Sequence, residues 1–324
     1  MKPLHLLSDF DGVWTEPARE YAAVQAKVVA ELALALGESE ERSQRRYQEY
    51  SEAVMRQPDK YGWQANSQDL RLSSYVDEDY FCLPAAIGQL IDQGDSLDMQ
   101  EVKEAVLGRY DSVIEMLDHC FHSTCTSFRQ QIDHDLTQGA EPVLQWMLDH
   151  EIAVTWATNA PAEKIISWFA HHGFEVFDAL ETEPSVAPLR VYGRAGKQWL
   201  GDSADKLSFA GRDVWVDRPQ YRKIIERECP DLVVGDVLSL DLALPLAMRL
   251  AGDQAAPQET ALLYRRDTPD WVLQSIGSES TKVDHLISHL TSVPRLLLGL
   301  MHGEDSCNST SNTLASSTGE QLPQ

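Results

Sequence analysis

Two aspartates one residue apart, Asp9 and Asp11 in the segment DFDGVWT, stand where a short apolar strand at residues 3–8 runs out into a glycine turn. Side chains alternate along a strand, so the two carboxylates share a face and project toward one place. Like charges this close are costly unless a cation or a shared proton relieves them, so the pair asks for a metal ion. Two more apolar runs end in chemistry-bearing residues. Residues 152–157 lead to Thr158 and Asn159, and residues 232–235 lead to Asp236, with Asp241 five residues on.

The elements that must bring these together alternate. From Gly139 onward, helical patterns at 141–149, 162–172, 219–228 and 241–250 interleave with short apolar runs at 152–157, 174–180, 232–235 and 260–264. A helix is also expected at 282–290. Such alternation implies βαβ units and a mostly parallel α/β sheet. Ligands then bind beyond the carboxyl ends of the strands, where Asp9, Thr158 and Asp236 all fall. Residues 183–216 read as irregular, with a possible hairpin around RVYGRAGKQWLG.

Between Thr15 and about His134 the pattern is helical. Val24, Val28, Leu32 and Leu36 recur at helical spacing, and Gly37 offers a stop. A charged helix follows, then a loop at 58–66 holding an exposed-looking Trp63, then helices at 80–93 and 99–121. Almost nothing there reads as a strand. The expected organisation is a Rossmann-like core from residues 1–15 and 136–302, a helical cap at 16–135, and a disordered Ser/Thr/Asn-rich tail at 303–324.

Composition narrows the function. The 324 residues carry a formal charge of −24, which argues against nucleic acid or an anionic membrane as partner. A hydrophobic content of 43% and a mean hydropathy of −0.32 are those of an ordinary globular protein. No run is long and apolar enough for a bilayer, and no signal-peptide apolar region precedes Asp9. Five scattered cysteines fit reduced thiols in a cytoplasm.

With these residues in view, the chain resembles the haloacid dehalogenase-like (HAD) superfamily of aspartate-nucleophile hydrolases. DFDGVWT looks like its first motif, AVTWATN its second and LVVGDVLSLD its fourth. The helical insertion takes the place of that family's C1-type cap. The resemblance implies that Asp9 attacks phosphorus as nucleophile and Asp11 serves as acid and base. It implies Mg²⁺ held by the Asp9 carboxylate, the Asp11 carbonyl and Asp236, with Asp241 a ligand or a partner of one. Thr158 would donate to a phosphoryl oxygen, helped by backbone N–H groups near Phe10 and Asn159. Dehalogenases of the family lack the second aspartate, so Asp11 favours phosphoryl transfer from a small phosphomonoester.

Two departures stand against the pattern. Val237 follows Asp236 where a small hydroxyl residue is usual. The third motif's lysine has no evident counterpart: Arg218, before Pro219, takes the expected place, with Lys206 and Lys223 as substitutes. Arginine supplies the charge with a different shape and reach. Two other functions therefore stand beside the phosphatase reading. One is phosphonate cleavage, which needs a cap lysine such as Lys60 or Lys103 for a Schiff base. The other is a catalytically impaired binding or regulatory protein. In the cap, Trp63, Arg56 and Arg71 either face the substrate or pack and offset acidic surface. The segment DHCFHSTC, with His119, Cys120, His122 and Cys125, lacks zinc-site spacing and reads as a helix end with buried cysteines.

Overall fold

The computed structural model describes residues 3–64, 71–131, 134–182, 187–276 and 283–303. The expected 303–324 tail, Gly303 apart, lies outside them. The first strand, β1 (His5–Ser8), is buried along its whole length. It sits between β4 (Ala153–Ala157) and β9 (Leu232–Gly235) in a seven-stranded sheet. Beyond β4 come β6 (Leu189–Tyr192) and β5 (Phe177–Asp178); beyond β9 come β10 (Glu259–Leu263) and β11 (His285–Ile287). Every pairing is parallel. Strands covered on both faces read as mainly apolar runs, as β1, β4 and β9 at the centre of the sheet do.

Alternation along β1 separates two cores. Leu6 points into a cluster with Leu144 and Met147 of α6 (Ala140–Asp149), Ile165 and Phe169 of α7 (Ala162–His171), and Leu297 of α11 (Val293–His302). Leu7 points the other way. Its cluster takes Tyr221 and Ile225 of α8 (Pro219–Glu228), Leu244 of α9 (Ala243–Leu250) and Val272 of α10 (Asp270–Gln274). This is the Rossmann-like α/β fold expected from the sequence.

Residues 18–131 carry a third hydrophobic cluster of their own. It joins α1 (Ala18–Leu36), α2 (Glu40–Met55), α3 (Leu83–Gln93), α4 (Leu97–Val106) and α5 (Val113–Gln131). Val28 and Leu32 meet Ile87, Ile91, Val102 and Leu117 there. The helix expected at 99–121 is two helices, separated by a turn near Gly108. The insert also contains a hairpin that its helical pattern hid, β2 (Gly62–Gln64) with β3 (Leu72–Tyr75), and Trp63 lies in it, partly buried. Leu72 and Tyr75 belong to the sheet's second core, so this hairpin is packed onto the α/β layer.

Three further elements differ from expectation. β6 is a buried sheet strand inside the stretch read as irregular. The hairpin of that stretch lies later, β7 (Lys206–Phe209) with β8 (Arg212–Trp215). Ala210 and Gly211 both have positive φ, the conformation that matches strand twist in a two-residue turn. Residues 285–287, expected in a helix, form the edge strand β11, because Leu286 and Ile287 register against Leu262 and Leu263. Among the described residues no helix is long and apolar enough to cross a membrane.

Candidate active site

Sheet register explains why distant residues meet. Ser8 is level with Trp156 on β4 and Val234 on β9. Asp9 therefore leaves the sheet beside Thr158 and Asp236, one or two residues further along each neighbouring strand. Ligand atoms of Asp9, Asp236 and Asp241 lie within 4.8 Å of one another. Two glycines permit the approach. A Cβ on Gly12, whose φ is +88°, would sit 1.9 Å from Asp236 Oδ2, and one on Gly235 would sit 2.2 Å from Asp241 Cβ.

The cation beside Asp9 is Lys197, not Arg218, Lys206 or Lys223. Its Nζ lies 2.7 Å from Asp9 Oδ1 and 2.7 Å from Asp241 Oδ1. Burial lowers its pKa, but Asp241 and Asp9 outweigh burial and the net shift is upward. Asp241 also accepts from Val237 N at 3.0 Å. A backbone N–H thus holds this carboxylate at the place where Val237 brings no hydroxyl. The guanidinium of Arg218 points elsewhere, donating to the carbonyls of Lys197, Ser73 and Trp215. Lys206 pairs with Asp213 in the exposed β7–β8 hairpin, and Lys223 is exposed on α8.

Lys197 escaped the sequence reading because β6 did. The chain leaving β6 folds under the turn after β4: Arg194 N donates to Ala160 O at 2.8 Å and Ala195 N to Thr158 O at 2.8 Å. Lys197 N donates to Asn159 Oδ1 at 2.9 Å. The available signal was a lysine five residues past a short apolar run, the position ligand-facing residues take in a parallel sheet.

The other expected residues divide. Thr158 is buried, and its Oγ1 accepts from Ala160 N at 3.1 Å, which leaves its own proton to donate. Thr158 and Asn159 both line the cavity described below. The Phe10 ring packs in the first core against Trp168 and Phe169, so any role of Phe10 in binding belongs to its backbone. Asp11 lines the same cavity, but its Oδ1 lies 2.7 Å from Lys164 Nζ on α7. Lys164 also reaches Glu20 of the insert at 3.2 Å. Burial lowers the Lys164 pKa, yet these two carboxylates raise it overall.

Electrostatically the centre is short of positive charge. Burial, opposed by Lys197, pushes the Asp9 carboxyl up to about 7. Burial with Asp241 and Asp9 nearby pushes Asp236 well above the carboxylate range. Arg265 comes no nearer than 3.9 Å to Asp236 through Nε, and its fork is engaged with Gly12 O and Glu16. Asp236 Oδ1 is buried with no hydrogen-bond partner. An orphaned buried carboxylate oxygen among acidic neighbours fits a hard divalent cation with oxygen ligands.

The site opens into a cavity of about 850 Å³ roofed by the insert. Trp63 lines it, whereas Arg71 is turned to the carbonyls of Gly201 and Ser203, and Arg56 is exposed. Lys60 and Lys103 are not among its lining residues; Lys103 is bonded to the carbonyls of Asp92 and Gly94.

No family model matches this chain, and no curated protein matches it. Among solved structures it is similar to a HAD phosphatase from Thermococcus onnurineus, at 14% identity over 91% of this chain and 97% of that one, with a TM-score of 0.42. It is similar to a 2-haloacid dehalogenase from Pseudomonas syringae pv. Tomato, at 14% identity over 92% and 99%, with a TM-score of 0.42. A haloacid dehalogenase-like hydrolase from Streptococcus pneumoniae compares at 10% identity over 91% and 98%, with a TM-score of 0.40. The solved structures named here as similar to this chain are thus HAD-type proteins, phosphatase and dehalogenase alike.

Proposed function

We propose that this chain is a HAD-type, Mg²⁺-dependent phosphomonoester hydrolase whose insert acts as a cap. The observation that carries the reading is Asp9 held by a buried ammonium, Lys197, beside the orphaned oxygen of Asp236. The bound cation would be held by Asp9, Asp236 and the Asp11 carbonyl, and would supply charge to offset the phosphoryl oxygens. Both Asp241 oxygens already accept hydrogen bonds, so Asp241 suits orienting Lys197 better than ligation.

The chain's own groups carry the rest. A bond forms from an Asp9 oxygen to phosphorus while the bond from phosphorus to the alcohol oxygen breaks. Asp11, exchanging its contact with Lys164 for the leaving oxygen, delivers the proton. Water then attacks phosphorus and gives its proton to Asp11, and the Asp9–phosphorus bond breaks to release phosphate. Thr158 and Lys197 hold the equatorial oxygens throughout. With Lys197 in place, the case for an impaired protein loses its main support. With Lys60 and Lys103 outside the cavity lining, so does phosphonate cleavage.

The test is hydrolysis of a broad phosphomonoester panel by purified protein with Mg²⁺. Turnover is expected to stop with chelator and to fall at least about 10³-fold in Asp9→Asn. A protein that hydrolyses no member while a titration shows its metal site filled would overturn the reading.

A further inference from the structure

The cavity is far larger than a phosphoryl group, and a run of aromatic rings lies among the residues that line its insert side. Tyr21, Phe81, Phe121 and Trp63 form a chain of rings, all facing the same space. Tyr21 and Phe81 have centroids 4.4 Å apart, Phe81 and Phe121 6.1 Å, and Phe121 and Trp63 6.3 Å. Tyr21 lines the same cavity as Asp9, Asp11 and Asp236.

Two carboxylates beside these rings are already engaged. Asp79 accepts from Phe81 N at 3.1 Å and from Ser74 Oγ at 3.1 Å. Glu78 accepts from Ser239 N at 3.2 Å and from Tyr75 N at 3.4 Å. A polyol here would find these acceptors occupied and would bury hydroxyls against rings, which costs free energy. A second anionic group beside the rings would meet Glu78 and Asp79, and three of the cavity's cations, Lys164, Lys197 and Arg265, are already bound to carboxylates; Arg194 lines the cavity from the chain after β6, not from the insert. What remains well matched to this wall is a flat, uncharged, apolar group, for which edge and tilted ring contacts give both area and geometry.

We infer that the insert side of this cavity is a subsite for an uncharged aromatic ring carried on the alcohol half of the substrate. Its place relative to Asp9 rests on the phosphomonoester reading; the ring subsite itself does not. Tyr21 and Phe81 form one end of the subsite, and Phe121 and Trp63 the other.

The test compares benzyl phosphate with cyclohexylmethyl phosphate and glycerol 3-phosphate, whose alcohols are of similar basicity and so differ little in intrinsic reactivity. In parallel, calorimetry measures binding of benzylphosphonate and propylphosphonate, which are not hydrolysed, to the Mg²⁺-loaded full chain. The expected result is a kcat/KM at least about tenfold higher for benzyl phosphate than for either competitor. Benzylphosphonate should bind tighter than propylphosphonate by a like factor, and Phe81→Ala should collapse both ratios. The Trp63→Leu variant, at the other end of the subsite, gives the same readout should Phe81→Ala fail to fold. Equal turnover and equal binding of aromatic and non-aromatic compounds would overturn the subsite and leave the hydrolase reading intact. Tight, ring-selective phosphonate binding without hydrolysis of any ester would uphold the subsite and sink the hydrolase reading instead.

Discussion

Lys197 meets two carboxylates at once, and its removal would leave Asp9 and Asp241 facing each other without the ammonium between them. Lys197→Met is expected to lower turnover of the proposed phosphomonoester hydrolysis about 10²–10³-fold, the usual loss when a charge aimed at the transition state is deleted. Mg²⁺ affinity should persist or rise, because the site becomes more negative; calorimetry on the folded variant checks this and separates it from misfolding. Lys197→Arg should not restore activity, since a planar fork does not fill the place of a compact ammonium bridging two oxygens. Of the residues brought together here, Asp9, Thr158 and Asp236 were legible from strand-end position, and Asp241 from the resemblance of its segment. Lys197 was not, because β6 (LRVY) is only four residues long and carries Arg190, whose charge is matched by Glu228, a partner 38 residues away. Sequence periodicity does not see such a pairing.

At the scale of elements, the β2–β3 hairpin is tied to the α/β layer by side chains from both sides. Arg71 binds the carbonyls of Gly201 and Ser203, and Tyr75 donates to Asp213 O. Arg212 pairs with Asp77 at 2.8 Å and stacks 4.6 Å from the Tyr75 and Trp271 ring centroids. Arg218, wholly buried, takes its place among these ties instead of the catalytic one assigned from its position before Pro219. Burial, opposed by Glu78 and Asp241, pulls its pKa down to about 10, so it stays charged at neutral pH. Arg218→Met would strip donors from three carbonyls, two of them fully buried bonds. It is expected to destabilise the protein by about 1–3 kcal/mol per acceptor left unsatisfied, read from urea unfolding. Turnover should fall as well, through displacement of Lys197. The hairpin was hidden because residues 62–64 and 72–75 are too short for alternation to register, and what holds them is long-range.

For the whole molecule, the mostly parallel α/β sheet followed from alternating elements and is the part of the fold most fully legible. A buried network at the sheet's other end bears on stability in mild acid. His5 Nε2 lies 2.8 Å from Thr155 Oγ1 and its Nδ1 3.0 Å from Glu228 O, while Arg190 and Tyr192 bind the Glu228 carboxylate. Burial, offset only in part by Glu228, lowers the His5 pKa below its ordinary 6.5. The unfolded chain therefore binds a proton first as pH falls through 6.5, and stability drops from there down to the folded value. Urea unfolding at pH 7.5 and 5.5 should show His5→Gln gaining stability relative to the parent at the lower pH, because Asp9 and Asp236, whose folded pKa values are raised, act in the opposite sense in both proteins alike. No relative gain at the lower pH would rule out His5 as the source.

One guanidinium, that of Arg218, holds the carbonyl of Ser73 in the roof and the carbonyl of Lys197 at the floor. Roof and floor thereby share a single mechanical coordinate. Thermodynamic reciprocity applies to any ligand that senses it. Any effect of an anion at Lys197 on a ring seated under the roof must be matched by an equal effect of that ring on the anion. The two halves of a substrate, bound at opposite ends of the cavity, would then change each other's affinity by the same factor.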